Sequence, residues 1–124
     1  MKNNLQYLVH LQYDLVILDK YPIDNGHSLI ITKKHSEKIT DMNVDEVSKL
    51  FSKIPKIANA IIKATNADAF SIAQNNGKAA KQIIPHVHIH IIPRYNATGT
   101  LWTKRKIMNN NELSELAEKI KNNF

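Results

Sequence analysis

The sequence predicts an α+β domain, an antiparallel sheet with helices segregated against it. Three observations predict it. Strand-like alternation fills the first third of the chain, an apolar stripe at helical spacing fills the middle, and a second alternating run, PHVHIHIIPR from Pro85 to Arg94, follows. At 124 residues the chain suits one domain, residues 1–124, with one core.

Leu5 to Leu11 and Asp14 to Leu18 alternate as strands do. Pro22, Asp24, Asn25 and Gly26 are turn formers, and the strand HSLIIT, His27 to Thr32, comes after them. Next, Val47, Leu50, Phe51, Ile54, Ile57, Ala58, Ile61 and Ile62 recur at steps of three and four, painting one helix face. Asn43 and Glu46 are spaced as a capping box at its start. Pro55 lies inside the stripe and lacks the N–H of an interior helical bond. It should kink the helix there or split it; because the stripe keeps phase on both sides, the spacing predicts one long kinked helix rather than two.

Ala69 to Gln74 reads as a strand and Asn75-Asn76-Gly77 as a turn. Ile83 to Ile92 reads as the next strand, ended by Pro93. A short last helix follows Asn109, with Leu113, Leu116, Ala117 and Ile120 on one face and Glu115 and Lys119 spaced to pair.

Composition narrows function. Hydrophobic content of 43% and charged content of 23% describe a folded globular chain. No apolar run approaches the ~18 residues of a membrane span, and the N-terminus lacks a signal-peptide core. The expected location is the cytoplasm. With no cysteine, disulfides, thiolate catalysis and thiolate zinc sites are excluded. A formal charge of +6 suits an anionic partner. Its local clusters are Lys33-Lys34, Lys78 with Lys81, and Lys104-Arg105-Lys106. Nucleic acid is not favoured, since aromatic content is only 6% and no recognition motif is present.

The histidine row carries the chemistry. On a strand His86, His88 and His90 share one face, and Val87, Ile89 and Ile91 share the other. The aliphatic face can pack on the long helix while the imidazoles look outward from a rigid element. A lone strand histidine is more often a surface or satisfied core residue; three in phase are less easily so explained. Two at i and i+2 could chelate a metal, but residues four apart lie ~13 Å apart along a strand. A further ligand, from His27 or His35, would then be needed, and metal is not the preferred reading. A neutral imidazole is also a nucleophile toward phosphorus, and a covalent intermediate divides one hard step into two. The segment NNGKAAKQ, just upstream, offers a Gly turn, amide side chains and two lysines to an anion.

The run His86-Val87-His88-Ile89-His90-Ile91-Ile92 resembles the His-x-His-x-His-x-x pattern, x apolar, of the histidine triad (HIT) family of nucleotide hydrolases and transferases. DKYPIDNGHSLIITKKH, Asp19 to His35, is similar to that family's upstream segment, and QNNGKAAKQIIPHVHIHIIPR to its phosphate block. The resemblance runs along nearly the whole chain in the right order. It implies a HIT-like α+β fold whose sheet extends across a homodimer, a purine nucleotide substrate, and no metal or other cofactor. It implies that His88 attacks the α-phosphorus, forming a nucleotidyl-histidine that water resolves. His90 would contact the phosphate and the departing group. The backbone carbonyl of His86 would hold the far nitrogen of His88, and His27 would support the row. Asn75 and Gln82 match positions that contact phosphate, and Asp19 matches the one that binds ribose hydroxyls.

Taken without the resemblance, Asp19 and Asn75 also read as turn residues and His27 as a strand-start polar group. His35 is assigned no role and His10 a place on the surface. Trp102 fits the nucleotide pocket, the dimer interface or ordinary packing. Two departures stand out. Lys81 occupies the family's glycine position, where it is expected to keep the glycine backbone and add positive charge near the anion. The cysteine-bearing N-terminal segment of some relatives is missing. The leaving group is either the amine of a nucleoside phosphoramidate or the nucleotide of a dinucleoside polyphosphate. The reading of another class is a non-catalytic nucleotide-binding or scaffold protein using the same pocket.

Overall fold

A computed structural model describes residues 6–100, 102 and 108–124. Leu5 and the cluster Lys104-Arg105-Lys106 lie outside the described residues. The order is β1 (Gln6–His10), β2 (Asp14–Leu18), β3 (Ser28–Thr32), α1 (Val44–Phe51), α2 (Ile54–Thr65), β4 (Ala69–Ala73), β5 (His88–Arg94) and α3 (Asn110–Lys121), with 3-10 turns at Ile39–Asp41 and Lys78–Ala80. The five strands form one antiparallel sheet in the order β1-β2-β3-β5-β4. The α+β expectation holds.

One sheet face builds the core. Leu8, Val16, Leu18, Ile30, Val87, Ile89 and Ile91 pack with Leu50, Ile57, Ile61, Leu113, Leu116 and Ile120 of the helices. Burying each such aliphatic chain contributes about 1.5–3 kcal/mol. The aliphatic residues between the histidines therefore anchor β5 from behind, as alternation predicts. The predicted N-cap at Asn43 forms, and Asn109 forms a second one. Asn43 accepts from the Glu46 N–H, and Asn109 accepts from the Glu112 N–H. At the end of α3, Lys121 pairs with Glu118 at 3.3 Å; among the described residues Glu115 and Lys119 form no ion pair.

Three sequence expectations need correction. The middle stripe is two helices rather than one kinked helix, because Pro55 takes an N-terminal position of α2, where its missing N–H costs nothing. Ser52 and Lys53 between them stay right-handed, which preserves the phase of the stripe. Second, β5 begins at His88, not Ile83; Ile83 and Ile84 are exposed in the loop before it. Third, Pro93 lies inside β5 opposite Phe70. The Arg94 carbonyl accepts from Asp68 of the β4 side, so the nitrogen of Pro93 faces the other way, beyond the end of β3. No partner is lost there.

Gly26 is required by its surroundings. Its φ is +89°, and a Cβ would come within 2.8 Å of Thr65 Cγ2 and 3.1 Å of Pro93 Cγ. No helix among the described residues is long and apolar enough to cross a membrane.

Candidate active site

β5 lies between β3 and β4, and its register sets His88 opposite Ile31 and His90 opposite Leu29 and Ala73. The rings of His88 and His90 meet edge to face with centroids 4.9 Å apart. His86 stands just outside the strand, so its place is set by contacts other than the ladder.

The hydrogen-bond network assigns the tautomers. Nδ1 of His88 lies 2.7 Å from the His86 carbonyl oxygen, which only accepts. Nδ1 therefore carries the hydrogen, and Nε2 of neutral His88 holds a lone pair. The ring is nearly buried, at 9% exposure.

His27 is 1% exposed at the start of β3. The Ile23 N–H donates to its Nδ1 at 3.0 Å, so its hydrogen sits on Nε2. That nitrogen lies 2.9 Å from Nδ1 of His90 and donates to it. His90 must then carry its own hydrogen on Nε2. A buried backbone amide, relayed through one imidazole, thus sets the second as a donor. Asp19 directly follows β2, and its N–H donates to the His27 carbonyl at 2.9 Å. Its Oδ1 accepts from the Tyr21 N–H at 2.8 Å, and its Oδ2 lies 3.8 Å from His27 Nε2.

Ligand atoms of Asp19, His27 and His90 all fall within 4.8 Å of one another, a spacing that could hold a metal ion. The chemistry of the donors does not fit one. Coordination through His27 Nε2 needs the hydrogen on Nδ1, and Nδ1 already accepts from the Ile23 N–H.

Upstream, residues 74–87 form a loop closed on itself. The Gly77 N–H donates to Gln82 Oε1 at 2.6 Å, and Gln82 Nε2 donates to the Glu37 carbonyl at 2.6 Å. Both amide atoms of buried Gln82 thus brace the loop. The Asn75 carboxamide forms no hydrogen bond among the described residues and is half-buried. Lys81 adopts φ +65°, ψ 33°, the left-handed conformation that glycine favours, with its side chain exposed. The expected glycine-like backbone is present.

Sequence reasoning passed over the strip 35–39. His35 Nδ1 lies 3.1 Å from His86 Nδ1. The Ser36 carbonyl accepts from the Val87 N–H at 2.8 Å, and the Ile39 N–H donates to Asn76 Oδ1 at 2.7 Å. Little in the sequence marked it beyond the histidine itself. His10 is exposed, as expected. Trp102 is 57% exposed, with the Arg94 guanidinium 4.5 Å above its ring. A cavity of about 370 Å³ is lined by Tyr13, Thr32, Lys33, Ser36 and Leu50 among others and by none of the triad histidines. The carboxylates lining it, Asp14 and Glu46, are paired with Lys53 and Lys34.

Comparison with known proteins bears on the family and the fold. A family model, the HIT domain, matches residues 2–97. Adenylylsulfatase HINT3 of Arabidopsis thaliana is 46% identical over 93 residues, 75% of this chain and 47% of that protein. The chain thus spans about half the length of that relative. Adenosine 5'-monophosphoramidase hnt1 of Schizosaccharomyces pombe is 31% identical over 116 residues, 91% of this chain and 84% of that protein. The structure of Plasmodium falciparum diadenosine triphosphate hydrolase superposes with a TM-score of 0.81 at 26% identity, covering 98% of this chain and 77% of that one.

Proposed function

The chain belongs to the HIT family, and from that premise we propose that it is a hydrolase cleaving nucleotides at the α-phosphate through a covalent nucleotidyl-His88. The observation that carries the reading is the 2.7 Å bond from His88 Nδ1 to the His86 carbonyl. It leaves Nε2 with the lone pair that attack on phosphorus requires. Nε2 forms the N–P bond while the bond to the leaving group breaks and its electron pair departs with that group. Water then attacks the same phosphorus and releases His88. His90, with its hydrogen on Nε2, donates to a phosphoryl oxygen as charge develops there. Asn75 and Lys81 hold the phosphate, Gln82 keeps their loop in shape, and Asp19 receives the ribose hydroxyls. His27 fixes the tautomer of His90.

The relatives named above are an adenylylsulfatase, an adenosine monophosphoramidase and a diadenosine triphosphate hydrolase. They differ in leaving group and share an adenylyl moiety, which supports an adenine nucleotide as substrate. The phosphoramidate and the dinucleoside polyphosphate need the same nucleophile. A homodimer is part of the proposal: β4 is an edge strand with Phe70 and Ile72 exposed at 43% and 45%. It requires a solution mass of twice 14.1 kDa.

The test is a panel of adenosine phosphoramidates and dinucleoside polyphosphates run on wild type and His88→Ala. Turnover by wild type should fall at least ~10³-fold in the variant while adenosine monophosphate binding persists. In the same assay Lys81→Gly should weaken substrate binding and flatten its salt dependence. Full activity in His88→Ala would remove the nucleophile. Binding without turnover in wild type would leave a nucleotide-binding protein instead.

A further inference from the structure

His86 has an unusual task for a residue outside the ladder. Its carbonyl sets the tautomer of His88, yet β5 begins only at His88. The turn before it contributes one bond, from the His86 N–H to the Ile84 carbonyl at 2.8 Å. The Val87 N–H of the same peptide donates to the Ser36 carbonyl at 2.8 Å, and the His86 ring is gripped from two sides.

On the inner side, His86 Nε2 lies 2.6 Å from the Thr32 carbonyl oxygen and 3.2 Å from Thr32 Oγ1. The hydroxyl's own hydrogen goes to the Lys34 carbonyl at 2.9 Å. Both Thr32 oxygens therefore accept, and His86 carries its hydrogen on Nε2. Its Nδ1 is left as an acceptor, 3.1 Å from His35 Nδ1. His35 must then donate, with its hydrogen on Nδ1. The two rings meet edge to face with centroids 4.9 Å apart.

We propose that His35 is a positioning residue for the nucleophile: it clamps the His86 ring against Thr32, so that the His86 carbonyl keeps His88 in its Nδ1–H form. The catalytic part of this inference rests on His88 as nucleophile; the tautomer part does not. Without the clamp, the His86 ring turns more freely and its peptide is left to the backbone bonds Val87 N–H to Ser36 and His86 N–H to Ile84. His88 then spends more time with its hydrogen on Nε2, where it cannot attack. A serine protease whose histidine loses its orienting partner fails through the same wrong-tautomer route.

Two variants separate positioning from packing. His35→Phe keeps a ring without the donor, and His35→Asn restores an N–H near the place of Nδ1. The measurements are kcat and KM on an adenosine phosphoramidate, and the imidazole tautomers by long-range 1H–15N NMR. His35→Phe should lower kcat about 10-fold with KM unchanged and weaken the Nδ1–H signature of His88. His35→Asn should return both toward wild type. Unchanged kcat and an unchanged His88 tautomer in His35→Phe would overturn the proposal, and so would equal damage in both variants. If wild type turned over no nucleotide, the functional reading would fall, and the NMR comparison would still decide whether His35 sets the tautomer.

Discussion

The site contains two pairs of facing imidazoles, and they work in opposite directions. In the inner pair, His27 and His90 are 2.9 Å apart; in the outer pair, His35 and His86 are 3.1 Å apart. Their ring separations are nearly equal, 5.1 and 4.9 Å. The difference lies in the backbone group at the deep end. The inner pair ends on the Ile23 N–H, which donates and pushes the hydrogens along toward the substrate side. The outer pair ends on the Thr32 carbonyl, which accepts and draws them inward. One pair thus presents a donor at His90, while the other steadies an acceptor for His88. A histidine's role here is read from what its far nitrogen touches rather than from its place in the motif.

The largest contrast should come from truncating each pair. His27→Ala removes the donor that fixes His90 and leaves the buried Ile23 N–H without its partner. We expect activity to fall about 100-fold, as when a preorganised donor is lost. Stability should drop too, by about 1–3 kcal/mol for the stranded amide and more for the cavity. Removing exposed His35 should leave stability nearly unchanged. Urea melts and kcat on the two variants test the contrast, and matched stability losses would erase the distinction between the pairs.

Much of this arrangement was legible in the sequence. Period-two alternation put Val87, Ile89 and Ile91 in the core, and the Asn43 cap formed as read. The histidine row and Gly26-His27 were visible because their spacing is local. The break at Pro55 was less legible, because the stripe holds phase through Ser52 and Lys53 whether the helix bends or restarts. The start of β5 was misplaced because Ile83 and Ile84 look like strand residues, while the loop closed by Gln82 holds them in the open. His35 was passed over for a different reason. Its meaning depends on His86, 51 residues away, and no local pattern encodes that contact.

The smallest expected effect separates the surroundings of the two pairs by pH. The loop carrying His27 is tied down by the Tyr95 hydroxyl, which donates to the Asn25 carbonyl at 2.6 Å. Burial holds the Tyr95 phenol above its ordinary pKa, against the lowering pull of its hydrogen bonds with Thr65 and Asn25. The folded state therefore keeps a proton that the unfolded chain gives up as pH rises through ~10. Above that pH the unfolded state binds fewer protons, so stability falls with rising pH. Near the outer pair the sign reverses. The Lys34 ammonium and the Asn43 N–H hold the Glu46 carboxyl below its ordinary pKa, so its contribution fades as pH falls. Glu46→Gln should change the acid limb only slightly, because the pair is exposed to solvent screening. Tyr95→Phe should cost about 1 kcal/mol at neutral pH for the lost hydrogen bond and flatten the alkaline limb. Thermal melts between pH 8 and pH 11, about one unit above the ordinary tyrosine value, check it. An unchanged alkaline slope in Tyr95→Phe would mean that another group loses its proton there, and that the inner loop is not what the alkaline limb reports.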